Sequence, residues 1–510
     1  MRSDTPLYAT SYADVLSRYA DQHVVTIATG ATCAYLGDER NLREFLVADE
    51  IARWLRRAGH IVTFLLINDS MDALNFRQLR VAVNKDPVLI ERYQDCCGKP
   101  IAHLPDPWGC HESYAAHFEE ELVNRLHRFD CHPTLVSTAK LYERGLYDPY
   151  VRTVLERQDE LLQLLKAEFP TYQPDKLYWA LCPHCRYIHE TRILSVGDER
   201  VTVHCEHCTR TSEIPFSQLQ GKLNWKLDCA IRWLLFKVDV EPFNKSYLEP
   251  QSGTFVIAQT LANKFFGKQV VLPFQYGTVQ MENKFSYKLL ESLPASVLRG
   301  LLVDRPATEL KLSRDLVVTA ASRYSVLPGL TYLDFVKQLL PMWLLAPDKL
   351  TPQQRDYVAH GVSFGRHFLG TEIRLHLPQR KQFEGERPGV LGGMKLLLER
   401  IIKLRQETEE WEQFQGPTQQ LIESLGTHKG PILHRLRLVV GQEQGLPAAR
   451  FLFTLPLDYL ELVEYLLELQ LATFTNQAPV GNSSEDEYSD DLTAGERDTD
   501  EVSQQVQAAA

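Results

Sequence analysis

The chain lacks the features that mark a membrane or secreted protein. No apolar run in its 510 residues approaches the roughly 18 to 20 residues that a membrane-spanning helix requires. The N-terminal stretch MRSDTPLYATSYADVL contains neither the basic region nor the apolar core of a secretory signal. We therefore expect no membrane association and a cytoplasmic location.

A disulfide framework is also missing. Of the ten cysteines, six are scattered along the chain and four form two C-x-x-C pairs. This usage is typical of a reducing compartment and one metal site, whereas a disulfide scaffold places cysteines throughout a short chain.

Basic residues are outnumbered by acidic ones, 55 to 66, which gives a formal net charge of −11 at pH 7. Much of the excess acid follows Ala478, where nine acidic residues accompany Arg497 alone. Such a polar, acidic segment predicts disorder over 476–510 and a possible contact with a basic partner. The remainder is closer to neutral, so the overall charge neither requires nor excludes a nucleic-acid partner.

The first recognisable structural pattern in the chain is a strand followed by a helix and a second strand. The apolar run Val24–Ala28 ends at Gly30, an amphipathic helix follows from Asn41 towards Gly59, and Ile61–Asn68 reads as a second strand. A βαβ unit of this kind places the start of its helix over the carboxyl end of a parallel sheet, where nucleotides bind in doubly wound folds.

The two C-x-x-C pairs predict a zinc site. Nineteen residues separate the pairs, and the intervening 192–203 has strand character, as in a zinc ribbon. Two knuckles supply the closed tetrahedral ligand set of a structural Zn²⁺. The predicted ligands are Cys182, Cys185, Cys205 and Cys208. Ordinary turns with reduced cysteines are the alternative, and His184, His189, His204 and His207 offer substitute ligands.

Several motifs resemble those of the class I lysyl-tRNA synthetases. Thr29-Gly30 followed by Asn-Leu-Arg-Glu at 41–44 resembles the N-terminal signature of that family, and 106–114 (DPWGCHESY) resembles a second motif. The segment 225–245 resembles a third, which borders the amino-acid pocket. The resemblance implies substrate-binding roles for Thr29, Gly30, His111, Glu112, Trp225, Asp228 and Arg232. The alternative for these residues is helix core and capping.

The resemblance also implies an architecture. It is an α/β fold with a class I synthetase-type Rossmann catalytic domain, a zinc-ribbon insertion and an all-α C-terminal region. The expected divisions are 1–177 and 216–314 for the Rossmann-type domain, 178–215 for the ribbon, 315–475 for an anticodon-binding-like helical region and 476–510 for the tail.

Both ATP signatures of the family are altered. Asp38-Glu39-Arg40 stands where His-Ile-Gly is expected, and of that element Asn41 remains. The Lys-Met-Ser-Lys-Ser loop has at most a remnant in Lys284, Ser286 and Lys288, without the glycines that a mobile phosphate loop needs. These changes argue against ATP and Mg²⁺ as ligands. The structural alternative for Asp38-Glu39 is an acidic first turn of a helix, where negative charge interacts favourably with the helix dipole.

Other departures fall beside the expected pocket. Cys229-Ala230 replaces Trp-Pro, Ser246-Tyr247 replaces Asp-His, and Phe255-Val256 replaces a tyrosine and an aspartate. No catalytic residue is assigned.

The secondary-structure pattern completes the sequence interpretation. A polar, loop-rich segment is predicted up to Pro107, and a long helix over 150–168. Helical spacing recurs over 332–345, 352–368 and 390–414, with a break at Gly389, Gly392 and Gly393. Residues 442–447 resemble a C-terminal element in the family's helical region.

Two functions compete. The first is a paralogue that no longer forms lysyl-adenylate by the family route and binds tRNA, a tRNA-like RNA or an amino acid. The alternative is a divergent lysine–tRNA ligase, or an amino-acid ligase with another acceptor. A weaker third hypothesis is an assembly partner that acts through the acidic tail.

Overall fold

A computed structural model describes residues 8–37, 39–267, 270–281, 289–323, 332–345, 347–369, 378–408, 410–440 and 447–475. Asp38, the predicted phosphate-loop remnant at Lys284, Ser286 and Lys288, most of the 442–447 element and the acidic tail lie outside these ranges.

Strands and helices alternate in the N-terminal half, and helices dominate the C-terminal half. The strands are β1 (Val24–Ala31), β2 (Ile61–Asn68), β3 (Thr134–Ser137), β4 (Tyr178–Ala180), β5 (Thr191–Val196), β6 (Arg200–Cys205), β7 (Thr211–Pro215), β8 (Gly221–Leu223), β9 (Val240–Asn244), β10 (Leu272–Tyr276), β11 (Val279–Met281) and β12 (Leu310–Leu312). The helices up to the end of the sheet region are α1 (Tyr12–Arg18), α2 (Glu39–Arg57), α3 (Phe76–Ala82), α4 (Pro87–Tyr93), α5 (Tyr114–His127), α6 (Thr138–Glu143), α7 (Asp148–Glu156), α8 (Gln158–Glu168), α9 (Trp225–Phe236), α10 (Thr254–Leu261), α11 (Leu289–Ser292) and α12 (Ala295–Val303). The later helices are α13 (Arg314–Arg323), α14 (Tyr332–Leu345), α15 (Pro352–Phe364), α16 (Pro388–Glu407), α17 (Trp411–Ser424), α18 (Lys429–Val440), α19 (Ala448–Thr454) and α20 (Leu457–Thr475).

The central sheet has five parallel strands in the order β10-β9-β1-β2-β3. The predicted βαβ unit is confirmed, and β2 has the predicted bounds. From β1 the chain adds β2 and β3 on one side, and then returns to add β9 and β10 on the other. The order therefore reverses between β1 and β9, which is where open α/β sheets form ligand crevices.

Helix α2 packs against this sheet because its apolar residues recur at helical spacing. Leu42, Phe45 and Leu46 are all buried, and the stripe continues to Leu55. The helix ends where Gly59 adopts a φ of +95°, a conformation that glycine tolerates without a steric penalty. This packing fixes the first turn of α2 beside the carboxyl end of β1.

A three-stranded antiparallel sheet, β5-β6-β7, forms the inserted module, with β4 and β8 paired at its base. The strand character predicted for 192–203 is confirmed.

Two helix predictions in the N-terminal half are wrong in detail. The single helix over 150–168 is broken at Arg157 (φ −110°, ψ 28°) into α7 and α8. Leucines on both sides of the break are buried, so the apolar spacing gives no sign of it. The predicted loop-rich stretch contains α3 and α4, whose N-caps are Asn75 and Asp86. Cap side chains of this kind are themselves helix-start signals.

The predicted break at Gly389, Gly392 and Gly393 is also wrong, because all three lie inside α16. A Cβ atom on Gly393 would come within 2.5 Å of Ile432 Cδ1 on α18. The absence of a side chain at Gly393 therefore allows α16 and α18 to pack closely. The single helix predicted over 390–414 is two helices, since α16 ends at Glu407 and α17 begins at Trp411. The helix over 352–368 continues past Phe364 as one π turn, Gly365–Leu369.

The chain divides into two compact units. Among the described residues, the first contains those up to 369 together with 447–456, and the second contains 378–440 and 457–475. The boundary expected near residue 315 therefore falls within the first unit, which includes α13, α14 and α15. Among the described helices, none combines the length and the apolarity that crossing a bilayer requires.

Arg43 on α2 holds a large part of the first unit together. The residue is 1% exposed, and its guanidinium donates to backbone carbonyl groups of two segments. Nη1 donates to Gly277 O at 2.8 Å, Nε to Leu302 O at 3.0 Å, and Nη2 to Thr308 O at 2.9 Å. Further acceptors are the carbonyl groups of Thr278, Arg305 and Pro306. We name this arrangement the Arg43 clamp.

Replacing Arg43 by lysine tests the clamp. An ammonium group has three donors and lacks the planar fork, so several buried carbonyl groups would lose their partner. We expect Arg43→Lys to lower the free energy of unfolding by about 3 kcal/mol, measured by urea denaturation. Arg57→Lys on the same helix is the matched control, because the Arg57 side chain is 64% exposed; we expect a change below about 0.5 kcal/mol. Equal effects of the two variants would contradict a role of the clamp in stability.

Candidate functional site

A cavity of about 400 Å³ opens at the carboxyl ends of β1, β2 and β9, where the strand order reverses. The residues that line it come from the strand ends, from the first two turns of α2 and from the segments around β8 and β9. They are Gly30, Ala31, Thr32, Asn41, Glu44, Asp69, Asp72, Lys222, Trp225, Glu241, Phe243 and Tyr247. Four of these are carboxylates, so the wall is acid-rich; we call this space the switch-point cavity.

Glu44 is held at the cavity wall by two hydroxyl groups. Thr29 Oγ1 donates to one carboxylate oxygen at 2.8 Å, and Tyr276 Oη donates to the other. Burial raises the pKa of Glu44, and these two hydrogen bonds oppose that shift. The carboxylate is thereby fixed in orientation, with β1 on one side and β10 on the other.

Arg232 lies directly behind the cavity wall and is fully buried. Its Nη1 atom is 3.4 Å from Asp69 Oδ1 and 3.8 Å from Asp228 Oδ2, and its guanidinium lies 4.7 Å from the Trp225 ring centroid. The buried cation is thus paired with two carboxylates and stacked on an aromatic face, which is the environment that burying a guanidinium requires.

Two carboxyl groups of the wall titrate near neutral pH. Burial raises the pKa of Asp69 to about 7, although the positive charge of Arg232 opposes the shift. Burial likewise raises the pKa of Glu241 to about 7, opposed by Arg232 and by the hydrogen bond that Trp233 Nε1 donates. Groups so strongly perturbed within a cavity are typical of functional sites.

Lys222 reaches the cavity from β8 and pairs with Asp72. Thr32 Oγ1 donates to the other oxygen of Asp72 at 2.6 Å. Asp72 therefore connects the end of β1, the segment after β2 and the base of the inserted module.

The structure brings together most of the residues that the sequence singled out. Gly30, Trp225 and Asn41 line the cavity, while Thr29, Asp228 and Arg232 lie immediately behind it. Among the described residues of α2, Glu39 is buried in the first turn and Arg40 is exposed. The predicted substrate-binding roles remain predictions.

His111 and Glu112 are not among the cavity-lining residues. Glu112 is 3.6 Å from Lys140 at the surface, and His111 belongs to a second cluster described below. Sequence reasoning did not single out Glu44, Asp69, Asp72, Lys222 or Glu241 as site residues. For Asp69 and Asp72 the available signal was their position directly after the predicted strand 61–68, and for Glu44 and Glu241 it was their place within segments that resemble family motifs. No comparable signal marked Lys222.

The four predicted zinc ligands converge. Cys182 Sγ is 3.7 Å from Cys208 Sγ, and Cys185 Sγ is 3.5 Å from Cys205 Sγ; all four sulfur atoms lie within 4.8 Å of one another. Zinc–sulfur bonds of about 2.3 Å give sulfur–sulfur edges of about 3.8 Å in a tetrahedron. The donor set therefore fits a closed zinc site. Each knuckle is followed by a non-glycine residue in the left-handed region, Arg186 (φ 64°) and Thr209 (φ 57°).

Three of the nearby histidines have other partners. His184 contacts Ser212 at 3.1 Å, His204 contacts Thr211 at 3.0 Å, and His207 lies 3.3 Å from Glu190. The ring of His189 lies beside that of Trp179, with centroids 6.3 Å apart. The four thiols complete the tetrahedral set without them.

A second group of potential metal ligands lies at the DPWGCHESY motif. Ligand atoms of Asp106, Cys110, His111 and His117 lie within 4.8 Å of one another. Burial favours the protonated form of Asp106, but hydrogen bonds from Cys110, Trp108 and His111 outweigh it and lower the pKa of the carboxyl group. A carboxylate, a thiol and two imidazoles form a set that suits a zinc-type ion. Hydrogen bonds of the turn account for the same arrangement without one.

The fold is an α/β fold of the class I aminoacyl-tRNA synthetase type. It is defined by a parallel sheet whose strand order reverses, by the cavity at the carboxyl ends of its strands and by the helical region that follows in the sequence. The family model described as tRNA synthetases class I (K) matches residues 8–327. The chain belongs to this family.

Its curated relatives include lysine–tRNA ligases. The lysine–tRNA ligase of Archaeoglobus fulgidus is 27% identical over 340 residues, which are 64% of this chain and 63% of that protein. The lysine–tRNA ligase of Thermococcus kodakarensis is 30% identical over 280 residues, 53% of this chain and 51% of that protein. The chain thus spans about half to somewhat under two thirds of these relatives.

A solved glutamate-tRNA synthetase from Elizabethkingia anophelis is similar over 87% of this chain and 99% of that chain, with 10% identity and a TM-score of 0.40. That similarity is too low to add to the assignment.

Metal analysis tests both clusters. We expect the purified protein to retain about one equivalent of zinc at the four cysteines, and Cys208→Ser to lose it, measured by elemental analysis after dialysis against metal-free buffer. Cys97→Ser, which alters a cysteine outside both clusters, should keep the wild-type content. Loss of a further equivalent in His117→Gln would assign a metal to the second cluster. Unchanged zinc in Cys208→Ser would contradict the four-cysteine site.

Proposed function

We propose that this chain is a lysyl-synthetase-like protein that binds a cationic amino acid in the switch-point cavity and no longer forms an adenylate by the family route. The observation that carries the proposal is the charge of the cavity wall. Four acidic side chains line it, of which Asp69 and Glu241 have pKa values of about 7 and ionise further when an ammonium group binds. The cations beside them, Lys222 and Arg232, are paired with Asp72 and with Asp69 and Asp228.

An acid-rich wall favours an amine over a phosphate. A ligand ammonium group placed about 4 Å from one carboxylate gains on the order of 4 kcal/mol at an effective dielectric constant of 20, and a phosphate oxygen loses a similar amount. Lysine carries two ammonium groups for one carboxylate. Its charge therefore complements this wall better than that of ATP.

The altered signatures support the loss of adenylate formation. In adenylation the protein mainly supplies positive or donor groups where charge develops on the phosphate. Asp38-Glu39-Arg40 occupies the place of His-Ile-Gly in the sequence, and the glycines expected before Lys284 are missing. Both signatures and several positions beside the pocket have changed together, which favours a changed function over one tolerated substitution.

We further propose that tRNA or a tRNA-like RNA is the macromolecular partner. Membership of the family and the names of the relatives support this. The second unit adds a groove of about 400 Å³ between α16 and α17, where Arg400 and Lys403 lie beside the apolar Leu404, Pro417 and Leu421. Its two cations can contact a phosphate group of an RNA backbone, while Glu407 also lines the groove.

The second candidate is an active, divergent lysine–tRNA ligase. It is favoured by the intact cavity at the topological switch point and by the hydrogen-bonded Thr29–Glu44–Tyr276 arrangement at its wall. In this case ATP would be held by groups that differ from the family signatures.

Calorimetry and pyrophosphate exchange separate the two candidates. We expect the zinc-loaded protein to bind L-lysine, to bind ATP·Mg²⁺ weakly or not at all, and to catalyse no lysine-dependent exchange. Lysine-dependent exchange would overturn the proposal and establish a divergent ligase. Gel shifts with total tRNA then test the RNA partner separately, and unshifted tRNA would remove it.

The Glu44→Gln variant tests the cavity itself. Loss of this carboxylate should weaken lysine binding about tenfold, which corresponds to roughly 1.4 kcal/mol of binding free energy. Glu91→Gln, an exposed carboxylate on α4, is the control and should bind as the wild type does. Equal affinities of both variants would place the ligand elsewhere.

Lysine affinity should rise with pH between 6 and 8. Asp69 and Glu241 have pKa values of about 7 in the protein without ligand. A bound ammonium group favours their ionised forms, so binding releases protons and strengthens as the pH passes 7. One such group changes the affinity by about tenfold over this interval. Titrations in two buffers of different ionisation enthalpy count the protons. An affinity for L-lysine that falls with rising pH would contradict contact between its ammonium group and these carboxyl groups.

A further inference from the structure

The inserted zinc module is in contact with the segment that precedes α5, and Tyr187 makes that contact. Its ring stacks on His207, between the second pair of cysteines, with centroids 3.6 Å apart. Gly98, at a φ of +96°, lies against the ring, and a Cβ atom there would come within 2.7 Å of it. Tyr187 Oη also donates to Asp95 O at 3.2 Å. One ring therefore joins the second knuckle to residues 95–98.

A first chain of hydrogen bonds leads from Tyr187 to the cavity. Ile188 N donates to Gly98 O at 2.9 Å. Residues 98–102 then pair with 70–74: Gly98 N donates to Leu74 O at 2.8 Å, and Ile101 N to Asp72 O at 2.9 Å. The backbone that carries Asp72 is thus held by a segment that the module itself holds.

A second chain runs through β4 and β8. Cys182 follows β4 by two residues, and Leu181 N donates to Gln220 O at 2.7 Å. Arg186, next to Cys185, donates to the Gln220 side chain at 3.2 Å. Trp179 on β4 pairs with Lys222 on β8, and Lys222 forms an ion pair with Asp72. Both chains therefore end at Asp72.

The knuckles have the geometry that a metal site requires. The four thiols have the geometry of a zinc site, and each knuckle ends in a residue with positive φ. Such conformations cost free energy for non-glycine residues and persist where the surroundings enforce them. In small modules of this type, metal binding provides the folding free energy.

We propose that zinc occupancy of the four-cysteine site positions Asp72 and Lys222, and thereby sets the amine affinity of the switch-point cavity, with Tyr187 as the positioning residue. The inference about affinity rests on the proposed function. The inference about positioning does not, because it concerns the backbone at 70–74 and 98–102.

The coupling must be reciprocal. If zinc raises the affinity for an amine by a given factor, the amine must raise the affinity for zinc by the same factor. Between coupled sites, one ligand typically changes the affinity for the other by roughly 5- to 150-fold. Release of zinc to a chromogenic chelator, followed with and without saturating L-lysine, measures this factor independently of any reaction.

Hydrogen exchange of the full chain tests the positioning. We expect removal of zinc by a chelator to accelerate exchange at 70–74 and 98–102 as well as within 178–215, while α5 on the far side of that segment keeps its protection. Faster exchange confined to 178–215 would overturn the inference.

Variants at Tyr187 test the same route with zinc in place. Tyr187→Ala should keep its zinc, exchange faster at 98–102 and bind L-lysine roughly tenfold more weakly, within the usual range for coupled sites. Tyr187→Phe keeps the ring and should resemble the wild type. Leu194→Ala, at a residue 60% exposed on β5, controls for nonspecific effects on the module.

The outcomes separate the two proposals. If L-lysine binds to no form of the protein, the proposed function fails, and the exchange experiment alone decides the positioning. If L-lysine binds equally to zinc-loaded, zinc-free and Tyr187→Ala protein, the proposed function stands and this inference is overturned.

Discussion

The buried guanidinium of Arg232 is the interaction on which the candidate site depends. A cation without exposure to water is tolerated only where opposite charges and hydrogen-bond acceptors surround it. Asp69, Asp228 and the face of Trp225 provide these surroundings, and they come from the end of β2 and from α9. The same guanidinium allows carboxyl groups to crowd at the end of the sheet. An acid-rich cavity is therefore stable here because a cation lies behind its wall.

This constraint links the topology to the chemistry. The sheet reverses between β1 and β9, so residues far apart in the sequence meet at one edge. Glu44 arrives on the helix after β1, Asp69 and Asp72 follow β2, and Glu241 lies within β9. Strand β8, at the base of the inserted module, places Lys222 at the same edge of the sheet. The cavity is thus a product of the whole first unit.

The sequence predicted those parts of the structure that local patterns encode. The β2 strand, the strand character of 192–203 and the convergence of four cysteines all follow from short-range spacing. Most acidic wall residues could not be predicted in the same way. Asp69 and Asp72 read as turn residues after a strand, and Glu44 as one charge on an amphipathic helix. Their proximity depends on strand order and burial. Gly393 was misread because a glycine that permits close helix packing looks, in one sequence, like a glycine that ends a helix.

The Arg43 clamp has a consequence for the response of the protein to ionic strength. Its charge is balanced by carbonyl dipoles inside the unit, where dissolved ions cannot gather around it. Exposed pairs such as Arg152 and Glu156 weaken as salt accumulates. The connection between α2 and the two backbone segments that it contacts therefore depends much less on salt concentration than these exposed ion pairs do.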